Sequence, residues 1–134
     1  MKTKSIVWLM GASALCIGVL QTIAVKFYLY WTIWWFDIIM HFLGGFWIAL
    51  IILWFYKAFV GVKVRNDHGY LVSIIGTILV GVLWEVYEVI TGLTRGQDAY
   101  VFDTSLDLIM DTCGALFATY IVFRKSLQTN TTTQ

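Results

Sequence analysis

Four long apolar stretches dominate this chain, and polar residues interrupt them at regular places. The first runs from about Ser5 to Val25 and is framed by Lys4 and Lys26. The second runs from about Phe36 to Phe55, the third from about Tyr70 to Ile90, and the fourth from about Ser105 to Phe123. Each approaches the roughly 20 residues that a helix needs to cross the hydrocarbon of a bilayer. The fourth does so only if Asp107 and Asp111 are counted inside it. A strand would be far shorter, and in lipid each backbone must satisfy its own hydrogen bonds. The pattern predicts an all-α integral membrane bundle of four transmembrane helices, one domain over residues 1–125, with a disordered polar tail over 126–134.

Composition agrees. The 134-residue chain is 60% hydrophobic and 13% charged, has a mean hydropathy of +0.79, and contains no proline. Soluble domains are nearer to 25% charged. Four spans use nearly the whole length and leave no room for a second, soluble domain. The net charge of +1 is not that of a nucleic-acid partner, which calls for a basic patch. Cys16 and Cys113 each sit in an apolar run, as small buried residues rather than a disulfide framework or thiolate site.

The N-terminus resembles a signal peptide, with basic Met1–Lys4 and a small-residue tripeptide Ala12-Ser13-Ala14. The apolar run continues well beyond that tripeptide, so an uncleaved helix is expected. Basic residues then orient the spans. Lys2, Lys4, Lys57, Lys63, Arg65, Arg124 and Lys125 fall on one side, and only Lys26 and Arg95 on the other. This places both termini and the 57–69 loop in the cytoplasm, in what reads as a prokaryotic plasma membrane. The outer segment 27–36 is crowded with Tyr, Trp and Phe, which favour the headgroup level; an interface anchor is the first reading and a lipid or substrate platform the second. Asn130-Thr131-Thr132 matches a glycosylation sequon but faces the cytoplasm on this topology. His68, beside Asp67, is assigned no role.

The acidic residues carry the chemistry. Asp37 and His41 lie four apart near the outer start of the second span, so they share a face about 6 Å apart along the axis. Glu85 and Glu88 lie three apart near the outer end of the third. Asp103, Asp107 and Asp111 step by four through the outer start of the fourth. Successive spans run in opposite directions, yet all three sets reach the same depth, which predicts one shared pocket. Thr104 and Asp107 have capping-box spacing, which alone would account for Asp103 and Asp107 at a helix start. It does not account for Asp111, a turn deeper, or for Glu85, where the helix dipole opposes a carboxylate. Gly44, Gly45, Gly81 and Gly114 flank the acids and would let backbones or a ligand approach closely.

A central charged residue costs about 2.5–3.5 kcal/mol on insertion scales, so a cluster of several costs on the order of 10 kcal/mol. Lys26 and Arg95 cannot neutralise six acids. The alternatives are bound divalent cations, a network of protonated carboxyls, or a water-exposed structural cluster, in that order. Oxygen ligands with one imidazole suit Mg, Mn or Ca, with Zn or Fe as further candidates. The expected ligands are Asp37, His41, Glu85, Glu88, Asp103, Asp107 and Asp111, with His41 or Glu88 as a catalytic base.

At these positions the chain resembles a known group. Asp37-x-x-x-His41-x-x-Gly44, Glu85-x-x-Glu88 and Asp107-x-x-x-Asp111-x-x-Gly114 look like the pattern of VanZ-like and YjdF-like small polytopic membrane proteins, over roughly residues 36–118. The VanZ-like pattern typically has Gln at the second acid of the third span and Asn at the last acid of the fourth. Glu88 and Asp111 therefore bring this chain nearer the YjdF-like branch. The resemblance implies a membrane helix bundle and, for some VanZ-like members, a link to glycopeptide resistance and the cell envelope; it implies no defined reaction. Three functions follow as expectations: a metal-dependent enzyme on a lipid or lipid-linked substrate, a non-enzymatic binding or regulatory protein, and an ion- or proton-coupled transporter. Membrane lipid is the expected partner, and a homo-oligomer is compatible with the small size.

Overall fold

The computed structural model describes residues 1–59, 66–92 and 100–131. Lys63, Arg65 and Arg95, used above to orient the spans, and the sequon's Thr132 lie outside the described residues. Five helices follow one another: α1 Thr3–Phe27, α2 Leu29–Thr32, α3 Phe36–Phe59, α4 Asn66–Thr91 and α5 Tyr100–Thr131. Four of them are long and apolar enough to cross a membrane: Thr3–Phe27, Phe36–Phe59, His68–Thr91 and Tyr100–Arg124. At 24 residues, α3 is about 36 Å long, which exceeds the roughly 30 Å of hydrocarbon.

Local chemistry sets the breaks. α1 stops at Tyr28, whose φ of 56° puts it in the left-handed region while its N–H still bonds to the Ala24 carbonyl. The aromatic segment that follows is partly helical rather than an open loop: α2 forms, and the Tyr30 hydroxyl bonds back to Gln21. Tyr28, Trp31, Trp34 and Trp35 stay exposed around this turn. α4 ends where Gly92 takes a φ of +71°, a conformation cheap only for glycine.

The two ends of α5 differ most from the sequence expectation. α5 begins at Tyr100, a full turn before the Thr104 start that capping-box spacing predicts, so Asp103 and not Asp107 occupies its first turn. The Thr104 hydroxyl caps nothing and instead donates across to Glu85. At the other end, α5 continues to Thr131, into the stretch read from sequence as a polar tail without structure; Ser126–Thr131 contains no glycine or proline to stop it.

α3 is the centre of the bundle. It makes its most extensive contact with α5 and also packs against α1 and α4, while α5 also packs on α4. Ile6, Ala49, Leu50, Leu53, Ala115, Ala118 and Val122 form a fully buried core. Large apolar side chains such as Trp8, Leu15, Leu83 and Phe102 point outward. In water such a surface would be a liability; against lipid tails it is what a spanning bundle presents.

The α4–α5 pairing has a regular antiparallel register. A Cβ on Gly69 would meet the Phe123 ring, Ser73 bonds to Thr119 at 2.8 Å, and a Cβ on Gly81 would meet the Asp111 carboxylate. Each step of four along α4 matches a step of four back along α5. The same register sets Thr77 level with Ala115 and Glu85 level with Asp107. The polar positions Ser73, Thr77, Gly81 and Glu85 thus form one stripe, facing Asp107, Asp111, Ala115 and Thr119.

Candidate functional site

His41 stands at the centre of the acidic end of the bundle, where α3 and α5 begin and α4 finishes. Its ring is buried, at 8% exposure. Nε2 lies 3.8 Å from Asp37 Oδ1 and 3.8 Å from Asp107 Oδ2. On the opposite edge, Nδ1 lies 3.5 Å from Asp111 Oδ1. Three carboxylates from two helices therefore surround one imidazole. The i,i+4 spacing on α3 brings Asp37 over His41, and the same spacing on α5 sets Asp107 and Asp111 on the two ring edges.

Glycine makes this proximity possible. A Cβ on Gly45 would collide with the Asp111 backbone, and one on Gly114 would collide with the Phe42 carbonyl and the Phe46 amide. α3 and α5 touch main chain to main chain here, the close approach that small residues allow in membranes. Gly81 brings α4 against side chains of α5 instead: a Cβ there would stand 2.6 Å from Asp111 Oδ2 and 2.9 Å from Leu108 Cδ2. Gly44, by contrast, faces open space, so of the glycine pair in the sequence only Gly45 carries the contact.

Glu85 reaches the cluster from α4. It is 5% exposed, and its Oε2 accepts a 2.7 Å hydrogen bond from the Thr104 hydroxyl. Its Oε1 is buried and has no hydrogen-bond partner. Asp107 lies within electrostatic range of Asp37, Asp103 and Glu85 as well as His41. Asp103 itself is only half-buried. Glu88 is also half-buried, and its carboxylate takes a 2.9 Å bond from the indole of Trp84. Of the seven residues that the sequence singles out, the structure buries His41, Glu85, Asp107 and Asp111, leaves Asp37 half-buried against the His41 ring, and sets the half-buried Asp103 and Glu88 at the rim. His68 is exposed near the start of α4, at the opposite end from His41.

Three ligand atoms, one each from Asp37, His41 and Asp107, lie within 4.8 Å of one another. An ion with bonds of about 2.1 Å keeps its ligand atoms roughly 3–4.2 Å apart; the two 3.8 Å separations at Nε2 fall in that range. Asp111 faces the other ring nitrogen and falls outside that set. Its place is the one where a carboxylate orients a ligating imidazole. Sequence reasoning missed Thr104, which it took for a cap. It also missed Ser73, Thr77 and Thr119, which lie on the same helix faces as Glu85 and Asp111 at multiples of four residues, and that repeat was the available clue.

The fold and this cluster define an integral membrane protein with a buried histidine–carboxylate centre at one end of its helices. The chain belongs to the family described as predicted membrane protein (DUF2238), whose model matches residues 3–127. No curated protein and no solved structure matches it.

Proposed function

We propose that this protein binds a divalent cation between Asp37, His41 and Asp107, with Asp111 holding the imidazole in place, on the outer side of a prokaryotic plasma membrane. The observation that carries the reading is His41 Nε2, set 3.8 Å from carboxylates of two different helices. Burial adds to it: Asp107 is 3% and Asp111 6% exposed. One imidazolium offsets a single negative charge, which leaves the remaining carboxylates costly in a membrane span. A dication removes that cost. Mixed nitrogen and oxygen donors suit Mn, Zn or Fe(II) best, with Mg and Ca as oxygen-preferring alternatives.

The excess of Lys and Arg at the opposite helix ends supports the outward orientation with cytoplasmic termini. The exposed aromatic turn at Tyr28–Trp35 supports a site at headgroup level. The motifs on α3, α4 and α5 support kinship with VanZ-like and YjdF-like proteins, and through them a role in the cell envelope. The test is the metal content of purified wild type against Asp107→Asn. Bound metal in the wild type and its loss in the variant are expected; folded wild type without metal ends the reading.

A second reading, a metal-dependent enzyme on a lipid-linked substrate, draws on Glu88. Its half-exposed carboxylate at the rim, held by Trp84, is where a base could meet a water on the metal. His41 suits that task less well, because carboxylates face both of its nitrogens. Turnover of a lipid-linked substrate that Glu88→Gln abolishes, with metal content unchanged, is the outcome this reading needs.

A further inference from the structure

We propose a second cation site on the far side of Asp107 from His41, built from Glu85 and Asp107 and taking a hard dication such as Mg²⁺ or Mn²⁺. It rests on the first site, because Asp107 serves both.

The observation that points to it is Glu85. This side chain is 5% exposed, yet only one of its oxygens is used. Oε2 accepts the Thr104 hydroxyl, while Oε1 is sealed from solvent with no hydrogen-bond partner. A carboxylate oxygen is an acceptor only, so a buried one needs a donor or a cation beside it. The α4–α5 register sets Glu85 level with Asp107, and the two lie within electrostatic range of each other. Asp107 turns Oδ2 toward His41, so its carboxylate has a second oxygen with which to bridge. Bridging of two ions by one carboxylate matches the chemistry of two-metal centres.

Charge gives the same count. Asp37, Asp107, Asp111 and Glu85 bring four negative charges around a neutral, metal-bound imidazole. One dication leaves two charges uncompensated inside a membrane span, and a second dication removes them. The two sites differ in donors. The first has an imidazole nitrogen. The second has only oxygens, from Glu85, Asp107 and the nearby Thr104 hydroxyl, and all-oxygen donors select hard cations.

The experiment is elemental analysis of the full chain, purified in detergent and equilibrated with Mn²⁺, for wild type, Glu85→Gln and Thr104→Val. Glu85→Gln keeps the shape and the acceptor for Thr104, and unchanged thermal unfolding shows that it folds. Two ions per wild-type chain and one per Glu85→Gln chain are expected, with Thr104→Val weakening only the second ion. Manganese spin coupling in the wild type, lost in Glu85→Gln, would place the ions side by side. One ion in both proteins overturns the second site and leaves the first intact. No ion in the wild type overturns both, and two ions in Glu85→Gln overturn the assignment to Glu85.

Discussion

The main chain of Asp111 fills the notch beside Gly45, so a methyl group on Gly45 would stand on the Asp111 carbonyl. The residue that braces His41 is thus also the residue against which two helices close. Site geometry and helix packing are the same contact seen from two sides.

Gly45→Ala and Gly114→Ala should each destabilise the bundle by about 1–3 kcal/mol or more, because backbone cannot move aside as a flexible side chain can. Gly44→Ala, where a Cβ meets nothing within 4 Å, should be neutral or gain up to about 1 kcal/mol from helix propensity. Reversible unfolding in mixed detergent measures both. Equal losses at 44 and 45 would show that the two helices do not meet here.

In the proposed site, Asp111→Asn removes the charge beside Nδ1 and keeps Asp37, His41 Nε2 and Asp107 as the donors. Metal affinity should fall about 10–100-fold, as for other residues that orient a ligand. Asp107→Asn should abolish binding, because it takes away a ligand itself. Calorimetric titration separates the two; identical behaviour would mean that Asp111 ligates directly.

Thr77 is 1% exposed and its hydroxyl has no partner. Thr112 and Thr119 turn theirs back on the carbonyl four residues earlier. Thr77→Val should therefore be neutral or stabilise the fold by up to about 1–2 kcal/mol. Thr119→Val should cost about 0.6 kcal/mol or somewhat more, since it breaks the bond to Ser73. The same unfolding assay checks both. A clear loss in Thr77→Val would point to a bound partner for that hydroxyl.

Reporter fusions at the two termini should both read cytoplasmic, and a cysteine placed in the aromatic turn near Trp34 should label from outside. The opposite labelling pattern would turn the acidic end toward the cytoplasm and remove the envelope-facing reading.

Much of this was legible in the chain. Predominantly apolar runs of helix-spanning length locate the four long helices, and the i,i+4 spacings of Asp37 with His41 and of Asp107 with Asp111 place those pairs on single faces. Spacing within one helix is a local property. How helices pair is not. Nothing in the sequence says that His41 has Asp37 and Asp107 on one edge and Asp111 on the other, because that depends on the depth to which Gly45 and Gly114 let α3 and α5 approach. Thr104 misled for a related reason. Its spacing to Asp107 satisfies a capping rule, but α5 starts a turn earlier at Tyr100. Tertiary contact with Glu85 then claims the hydroxyl. Similarly, Glu88 shares a sequence neighbourhood with Glu85, yet three residues of helix rotation and the Trp84 indole carry it to the rim.

The order of assembly follows from where the acids sit. Asp37 and His41 arrive on α3, and Asp107 and Asp111 on α5, more than forty residues later in the chain. Until α5 inserts, Gly45 and Gly81 lack the surface they close on, and the ionisable groups of α3 and α4 lack their α5 partners. A chain cut short before Tyr100 would leave Asp37, His41 and Glu85 facing the bilayer without Asp107 and Asp111, an exposed polar patch of the kind that membrane quality control can recognise.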